Sequence, residues 1–87
     1  MQLDETATKA IALRMKKAHG HLARVIAMLE EGAECDSVLT QLAAVNKALS
    51  RSGYVLVATG LQQCLEAGDG PDSVDVKKME KLFLALA

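Results

Sequence analysis

Apolar residues in the first third of the chain recur at alternating steps of four and three residues. This spacing places them on one face of an α-helix. The pattern predicts a first helix from about Glu5 to Glu31, and Gly32 is typical of the residue that follows a helix C-terminus. The residues of its apolar face are Ile11, Met15, Ala18, Leu22, Val25 and Leu29.

The middle of the chain predicts one long second helix. It begins near Asp36 or Ser37, either of which can cap a helix, and continues to about Glu66. The stretch YVLVAT favours a strand, and Gly53 and Gly60 each disfavour a helix by about 1 kcal/mol relative to alanine. A helix is preferred because the sequence offers no second strand as a partner. Its apolar residues cover a wide arc, which predicts that it packs inside an assembly.

The segment GDGPDS predicts a loop, after which Asp72 or Ser73 can cap a third helix. The apolar face of this helix contains Val76, Met79, Phe83 and Leu86. Residues 1–87 are therefore interpreted as a single all-α domain with three helices and no internal repeat.

Composition narrows the class of protein. Half of the 87 residues are apolar, but no run reaches the ~18 residues that span a bilayer, and the N-terminus lacks the layout of a signal peptide. We therefore expect a cytoplasmic protein without membrane partners, whose thiols are reduced. The sequence has no glycine-rich phosphate loop and no cysteine–histidine spacing typical of a nucleophile, so we expect neither an enzyme nor a cofactor.

The two cysteines, Cys35 and Cys64, are too far apart in sequence to meet within one straight helix. At ~1.5 Å per residue they lie about 43 Å apart along its axis, whereas a disulfide needs Cα atoms within roughly 7 Å. Both thiols nevertheless face within about 20° of the same side. Antiparallel pairing of two copies would place Cys35 of one beside Cys64 of the other. The alternative is that both cysteines are passive, buried apolar residues.

The N-terminal position of Cys35 on its helix favours the thiolate, although Glu34 and Asp36 oppose this effect. We therefore expect Cys35 to be the better nucleophile or soft-metal ligand of the two cysteines.

Charge is segregated along the chain although the net charge is only −1. Residues 6–29 and 37–65 carry all their charge on lysine and arginine, and acidic connectors follow each segment. One face of the first helix carries a basic stripe, formed by Arg14, Lys17, His21 and Arg24. This stripe permits phosphate contacts, but it equally fits an ordinary solvated helix face.

The segments RMKKAHG (14–20), EEGAECDSVLTQLAAV (30–45) and EKLFLALA (80–87) resemble the CsoR/RcnR/FrmR family of small helical bacterial repressors. The resemblance implies an antiparallel helical dimer that assembles into a disc-like tetramer, a dimer of dimers. It also implies binding to operator DNA without a helix-turn-helix, and release of the DNA when the sensing site is occupied. The DNA-binding residues that we assign on this basis are Arg14, Lys16, Lys17, His21, Arg24, Lys47 and Arg51.

The resemblance also bears on what is sensed. In copper-sensing members a histidine stands between the two cysteines, at the position of Gly60, and glycine has no side-chain donor. The segment GYVLVATGLQQC (53–64) looks closest to the CstR-like branch, which keeps both cysteines without the histidine. This implies a repressor without a metal, released when low-molecular-weight persulfides or polysulfides link Cys35 to Cys64 of another subunit through a di-, tri- or tetrasulfide.

Two other functions remain open. A Cu(I)-responsive repressor would bind the ion with Cys35, Cys64 and a non-standard third ligand such as His21 or an exogenous group. A helical assembly module would have passive cysteines. His21 stands where the family usually has glutamine. Separately, we expect the side chain of Tyr54 to lie in the core.

Overall fold

The structure is a computed structural model that describes residues 2–86. It contains three α-helices, α1 (Glu5–Glu30), α2 (Cys35–Glu66) and α3 (Val74–Leu86), and residues 2–86 include no strand. The second helix packs against both α1 and α3, which do not contact each other. The resulting molecule is long and thin, with extents of 53 × 25 × 13 Å. None of its described helices combines the length and apolar character needed to cross a membrane.

The ends of α1 agree with the prediction to within one residue. The Asp4 carboxylate accepts a hydrogen bond from the Ala7 amide at 2.8 Å and so caps the helix N-terminus. At the other end Gly32 has a φ of +77°, a left-handed conformation that favours glycine. This turn reverses the chain so that α2 runs back along α1.

The prediction of one long second helix is confirmed, because α2 continues through Gly53 and Gly60 without a break. The prediction that Asp36 or Ser37 caps it is wrong. The helix begins at Cys35, and the preceding residue, Glu34, makes no capping hydrogen bond through its side chain. The Asp36 carboxylate instead accepts from the Ser37 amide at 3.0 Å, since both residues already lie within the first turn.

The third helix is capped by Ser73, one of the two predicted residues. Its hydroxyl accepts from the Val76 amide at 3.1 Å, whereas the Asp72 carboxylate lies 3.9 Å from the Lys77 ammonium group. Gly68, with a φ of +88°, makes the turn that sends the chain back along α2.

The clearest core cluster lies between α1 and the first half of α2, where Val25, Val38 and Val45 are buried. Three members of the predicted α1 face, Ile11, Ala18 and Val25, are buried, but Leu29 is 62% exposed. Large apolar side chains are exposed on all three helices, including Leu13, Ile26, Leu39, Leu65 and Leu84. A single chain thus leaves much apolar surface in solvent, as expected of a subunit of an assembly.

The prediction that Tyr54 lies in the core is wrong. Its side chain is 38% exposed, and its ring centroid lies 5.5 Å from that of Phe83 on α3. Phe83, which the Tyr54 ring contacts, is itself 44% exposed, so the packing of α3 against α2 leaves both rings accessible to solvent.

Candidate functional site

A basic groove of about 280 Å³ lies between α1 and α2. Arg14, Lys17 and His21 line it from α1, because their spacing of three and four residues places them on one helix face. Arg51 lines it from α2, opposite them. The structure thus brings together four of the seven residues predicted to bind DNA.

Small residues line the groove between these cations. Ala18 and Ser52 are buried, and Ala48 lies one turn before Ser52 on α2. The Ser52 hydroxyl donates to the Ala48 carbonyl at 3.1 Å, so this fully buried polar group is satisfied within its own helix. Short side chains here allow α1 and α2 to approach closely, and the longer cationic side chains then rise on either side.

No ion pair within residues 2–86 neutralises the groove. The salt bridges of the described residues join Lys9 to Glu5 and Lys77 to Asp72, and no carboxylate lines the groove. Three cations around an open groove are suited to phosphate groups. The other predicted DNA-binding residues, Lys16, Arg24 and Lys47, are exposed but do not line this groove.

His21 also ties the two helices together. Its Nε2 donates to the Gln41 side-chain oxygen across a distance of 2.7 Å. Gln41 lies six residues after Cys35, which corresponds to about 9 Å along the axis of α2. The imidazole is therefore oriented by Gln41 within the α1–α2 pair, and the structure does not bring it to Cys35.

The first thiol, Cys35, is exposed at the start of α2. As the first residue of the helix it lies at the positive end of the helix dipole, where backbone amides lack helical acceptors. Its side chain is accessible to solvent in the structure of residues 2–86. A ligand or a second protein copy can therefore approach this sulfur directly.

The second thiol, Cys64, is buried near the end of α2 and lies beside two carboxylates. Burial raises the pKa of the Cys64 thiol, and the charges of Asp69 and Asp75 and a hydrogen bond to Asp69 raise it further. The Asp69 amide also donates to the Cys64 carbonyl at 2.9 Å, which holds the loop against the helix end. Cys64 is thus kept as a neutral thiol until a ligand displaces its proton.

The unbroken α2 confirms that Cys35 and Cys64 lie at opposite ends of one helix and cannot meet within a chain. Their pairing between two copies stays a prediction. Gly60, one turn before Cys64, is buried and offers no donor atom from a side chain. Any shared site would therefore depend on the two sulfur atoms and on groups from other segments.

Sequence reasoning missed the role of Asp69 and Asp75. It treated them only as part of an acidic connector, because their contact with Cys64 depends on the turn geometry at Gly68 and on the start of α3. The sequence signal for this contact is a cysteine near a helix end that is followed within a few residues by glycine and aspartate. This signal predicts the contact only if the chain is already known to reverse direction after the helix.

Comparison with known proteins identifies the class to which this chain belongs. Residues 7–87 match the sequence model of a family described as "Metal-sensitive transcriptional repressor". The copper-sensing transcriptional repressor CsoR of Mycobacterium ulcerans is 39% identical over 80 residues, covering 86% of this chain and 68% of that protein. The protein of the same name from Mycobacterium tuberculosis strain H37Rv is 33% identical over 82 residues, covering 91% and 69%.

A shorter match joins the chain to the uncharacterised protein YrkD of Bacillus subtilis, with 42% identity over 38 residues, 44% of this chain and 60% of that protein. No solved structure gives a significant match. The chain belongs to the family of metal-sensitive transcriptional repressors. Membership in this family implies DNA binding and oligomerisation.

Proposed function

We propose that the protein is a Cu(I)-responsive transcriptional repressor. It binds operator DNA through the basic groove and releases the DNA when two copies hold the ion between Cys35 of one and Cys64 of the other. The observation that carries this proposal is the unbroken helix α2, which has one thiol at each end. Relatives that are named as copper-sensing repressors support the choice of metal.

The available donors suit a soft monovalent ion. Thiolates are soft ligands that select Cu(I), and Cys35 and Cys64 would supply two of them. Gly60 has no side-chain donor, and His21 is oriented by Gln41. The proposal therefore assigns no third ligand from the protein. A bound Cu(I) ion would supply a positive charge that stabilises both thiolates, and Cys64 would give up its proton to become a ligand.

The assembly follows from the same helix. An antiparallel pair of α2 helices creates two equivalent thiol sites, related by a two-fold axis. An apolar groove of about 500 Å³, lined by residues such as Leu49, Leu56, Met79 and Leu82, offers surface for packing between copies. We propose that two such dimers form a disc-like tetramer that presents several basic grooves to one DNA duplex.

The coupling between sites has to be reciprocal. If Cu(I) weakens DNA binding, then DNA must weaken Cu(I) binding by the same factor. The groove residues Arg51 and Ser52 and the thiol Cys64 share α2, so a change in how two α2 helices cross would move the grooves relative to one another. After this displacement, the distances between the basic grooves would no longer match the spacing of the DNA phosphates.

The DNA contacts are tested by fluorescence anisotropy with DNA from immediately upstream of the protein's own gene. Arg14→Ala, Lys17→Ala and Arg51→Ala should each weaken binding and reduce the slope of log affinity against log salt by about 1 per contact. The control is Lys78→Ala, which removes an exposed positive charge outside the groove. Equal losses in all four variants would contradict the groove as the DNA-binding site.

A second candidate is sensing of persulfides, favoured by the exposure of Cys35 at a helix start and by the absence of a donor at Gly60. The Cys35 thiolate would take the outer sulfur of a low-molecular-weight persulfide and release its thiol. The Cys64 thiolate of another copy would then attack the inner sulfur of the Cys35 persulfide, form a disulfide and release hydrosulfide. If Cys64 has first taken up the outer sulfur of a second persulfide, its own persulfide would attack the inner sulfur of the Cys35 persulfide, form a trisulfide and again release hydrosulfide.

Intact mass spectrometry under non-reducing, denaturing conditions separates the two candidates. Persulfide sensing requires two-chain species, with or without additional sulfur atoms, that disappear in Cys35→Ala and Cys64→Ala. Copper sensing requires that the DNA complex dissociates with Cu(I) under anaerobic conditions while the chains remain unlinked. DNA release by persulfide but not by Cu(I) would overturn the copper proposal.

A further inference from the structure

We propose that Cys64, Asp69 and Asp75 form a binding site for a borderline divalent cation such as Zn²⁺ within a single chain. One sulfur and two carboxylate oxygens lie within 4.8 Å of one another, close enough to share one ion. This site differs from the thiol pair proposed above in its ligands, in its metal and in needing no second copy.

The backbone holds the three ligands in place. Cys64 lies in the last turn of α2, and the Asp69 amide bonds to the Cys64 carbonyl at 2.9 Å. The left-handed conformation of Gly68 turns the chain at this point. The Ser73 cap then starts α3 so that Asp75 lies in its first turn. A site built by these hydrogen bonds needs little rearrangement to accept an ion.

The local charge balance also favours a cation. The partly buried carboxylates of Asp69 and Asp75 lie beside Cys64, which is only 3% exposed. Within residues 2–86 the salt bridges involve other acidic residues, Glu5 and Asp72. A bound divalent ion would neutralise both carboxylates, and the sulfur would exchange its proton for the ion.

The donor set selects the type of ion. Carboxylates are poor ligands for Cu(I), and thiolates are poor ligands for Mg²⁺ or Ca²⁺. One thiolate with two carboxylates suits Zn²⁺ or Co²⁺, which accept sulfur and oxygen together at about 2.0–2.3 Å. Three protein ligands leave the fourth position of a tetrahedral ion for water or an exogenous group.

The consequence for regulation rests on the proposed function, because both sites use Cys64. A divalent ion held by Cys64, Asp69 and Asp75 withdraws that sulfur from the pair with Cys35 of a second copy. Zn²⁺ would therefore oppose the response to Cu(I) rather than replace it.

Co²⁺ titration of the full-length Cys35→Ala protein tests the site, because this variant removes the thiol pair and keeps all three proposed ligands. We expect one Co²⁺ per chain, a thiolate-to-cobalt charge-transfer band and displacement of Co²⁺ by Zn²⁺. Asp69→Asn and Asp75→Asn, made in the same background, should weaken binding by at least about tenfold. Asp72→Asn serves as the matched control, since Asp72 lies in the same loop outside the cluster.

Absence of the charge-transfer band in Cys35→Ala would overturn the proposal, as would equal binding by the Asp69→Asn, Asp75→Asn and Asp72→Asn variants. Circular dichroism of each variant verifies that the helices are retained. If Co²⁺ binds as expected but Cu(I) does not release DNA from the wild-type protein, the proposed function fails and the cation site stands. If Cu(I) releases DNA and Co²⁺ does not bind, the reverse holds.

Discussion

The two ends of α2 carry the same reactive residue in opposite surroundings. At the start of the helix, Cys35 is exposed to solvent. At the end of the helix, the loop and α3 fold back over Cys64, bury it and place Asp69 and Asp75 beside it. A pair formed between two copies would therefore join an exposed thiol to a buried one.

In the proposed repressor, this difference would give the two cysteines separate roles. The exposed thiol of Cys35 would meet an incoming ligand first, because it is accessible and lies at the positive end of the helix dipole. The buried thiol of Cys64 would bind only a ligand that compensates for the loss of its proton and of its contact with Asp69. Weak ligands would then be excluded, since the second bond has to displace interactions already present.

The largest expected effect is on alkylation of the two thiols. In the reduced, metal-free protein, Cys35 should react with iodoacetamide more than about tenfold faster than Cys64, because burial and a raised pKa both suppress the Cys64 thiolate. Peptide mass spectrometry over a time course measures both rates in the same sample. Equal rates would contradict the closed environment of Cys64.

A smaller effect is expected when a carboxylate beside Cys64 is neutralised. Asp69→Asn removes the negative charge that raises the pKa of the Cys64 thiol and replaces the carboxylate by a weaker, neutral amide acceptor. The pKa should therefore fall, and the thiolate should become more abundant at neutral pH. Each unit of this fall increases the thiolate population by about tenfold. We expect Cys64 to be alkylated severalfold faster, while the rate at Cys35 is unchanged.

Asp72→Asn is the control for this measurement, since Asp72 pairs with Lys77 rather than with the thiol. An unchanged Cys64 rate in Asp69→Asn, or the same increase in both variants, would show that Asp69 does not govern the thiol.

The smallest expected effect concerns the two glycines that flank α2. Gly32 and Gly68 both have positive φ, and apart from the adjoining residues of the chain no atom lies within 4 Å of a Cβ added at either position. Substitution by alanine should therefore cost only backbone strain, about 1–2 kcal/mol of unfolding free energy at each site, measurable by urea denaturation. Only Gly68→Ala should also accelerate alkylation of Cys64, because only that turn closes over it. Acceleration by Gly32→Ala would contradict this distinction.

The sequence predicted most of the helical framework. The spacing of apolar residues predicted the bounds of α1. The lack of a partner strand correctly led to the prediction that the β-prone residues near Val57 are helical. The start of α2 was misplaced because Asp36 and Ser37 are good capping residues, yet the backbone enters the helix one residue before them. Tyr54 was misplaced because burial depends on how far α3 overlaps α2, which periodicity does not specify.

The candidate sites were predictable only where they follow helix spacing. The residues Arg14, Lys17 and His21 share a face by simple periodicity. Arg51 was assigned from the family resemblance, and the structure shows that it lies across the groove from them. The neighbours of Cys64 could not be predicted in this way. Their contact requires the chain to reverse through a loop, and the direction in which α3 returns is a property of packing.

The most direct test of the central claim uses two inactive variants together. Cys35→Ala and Cys64→Ala proteins are purified separately, then unfolded, mixed and refolded, and anaerobic Cu(I) binding and release of DNA are measured. Pairing between copies predicts that neither variant responds alone, whereas each mixed dimer regains one intact pair from Cys35 of one chain and Cys64 of the other. A mixture as unresponsive as its components, beside a wild-type control that survives the same refolding and responds, would contradict the account.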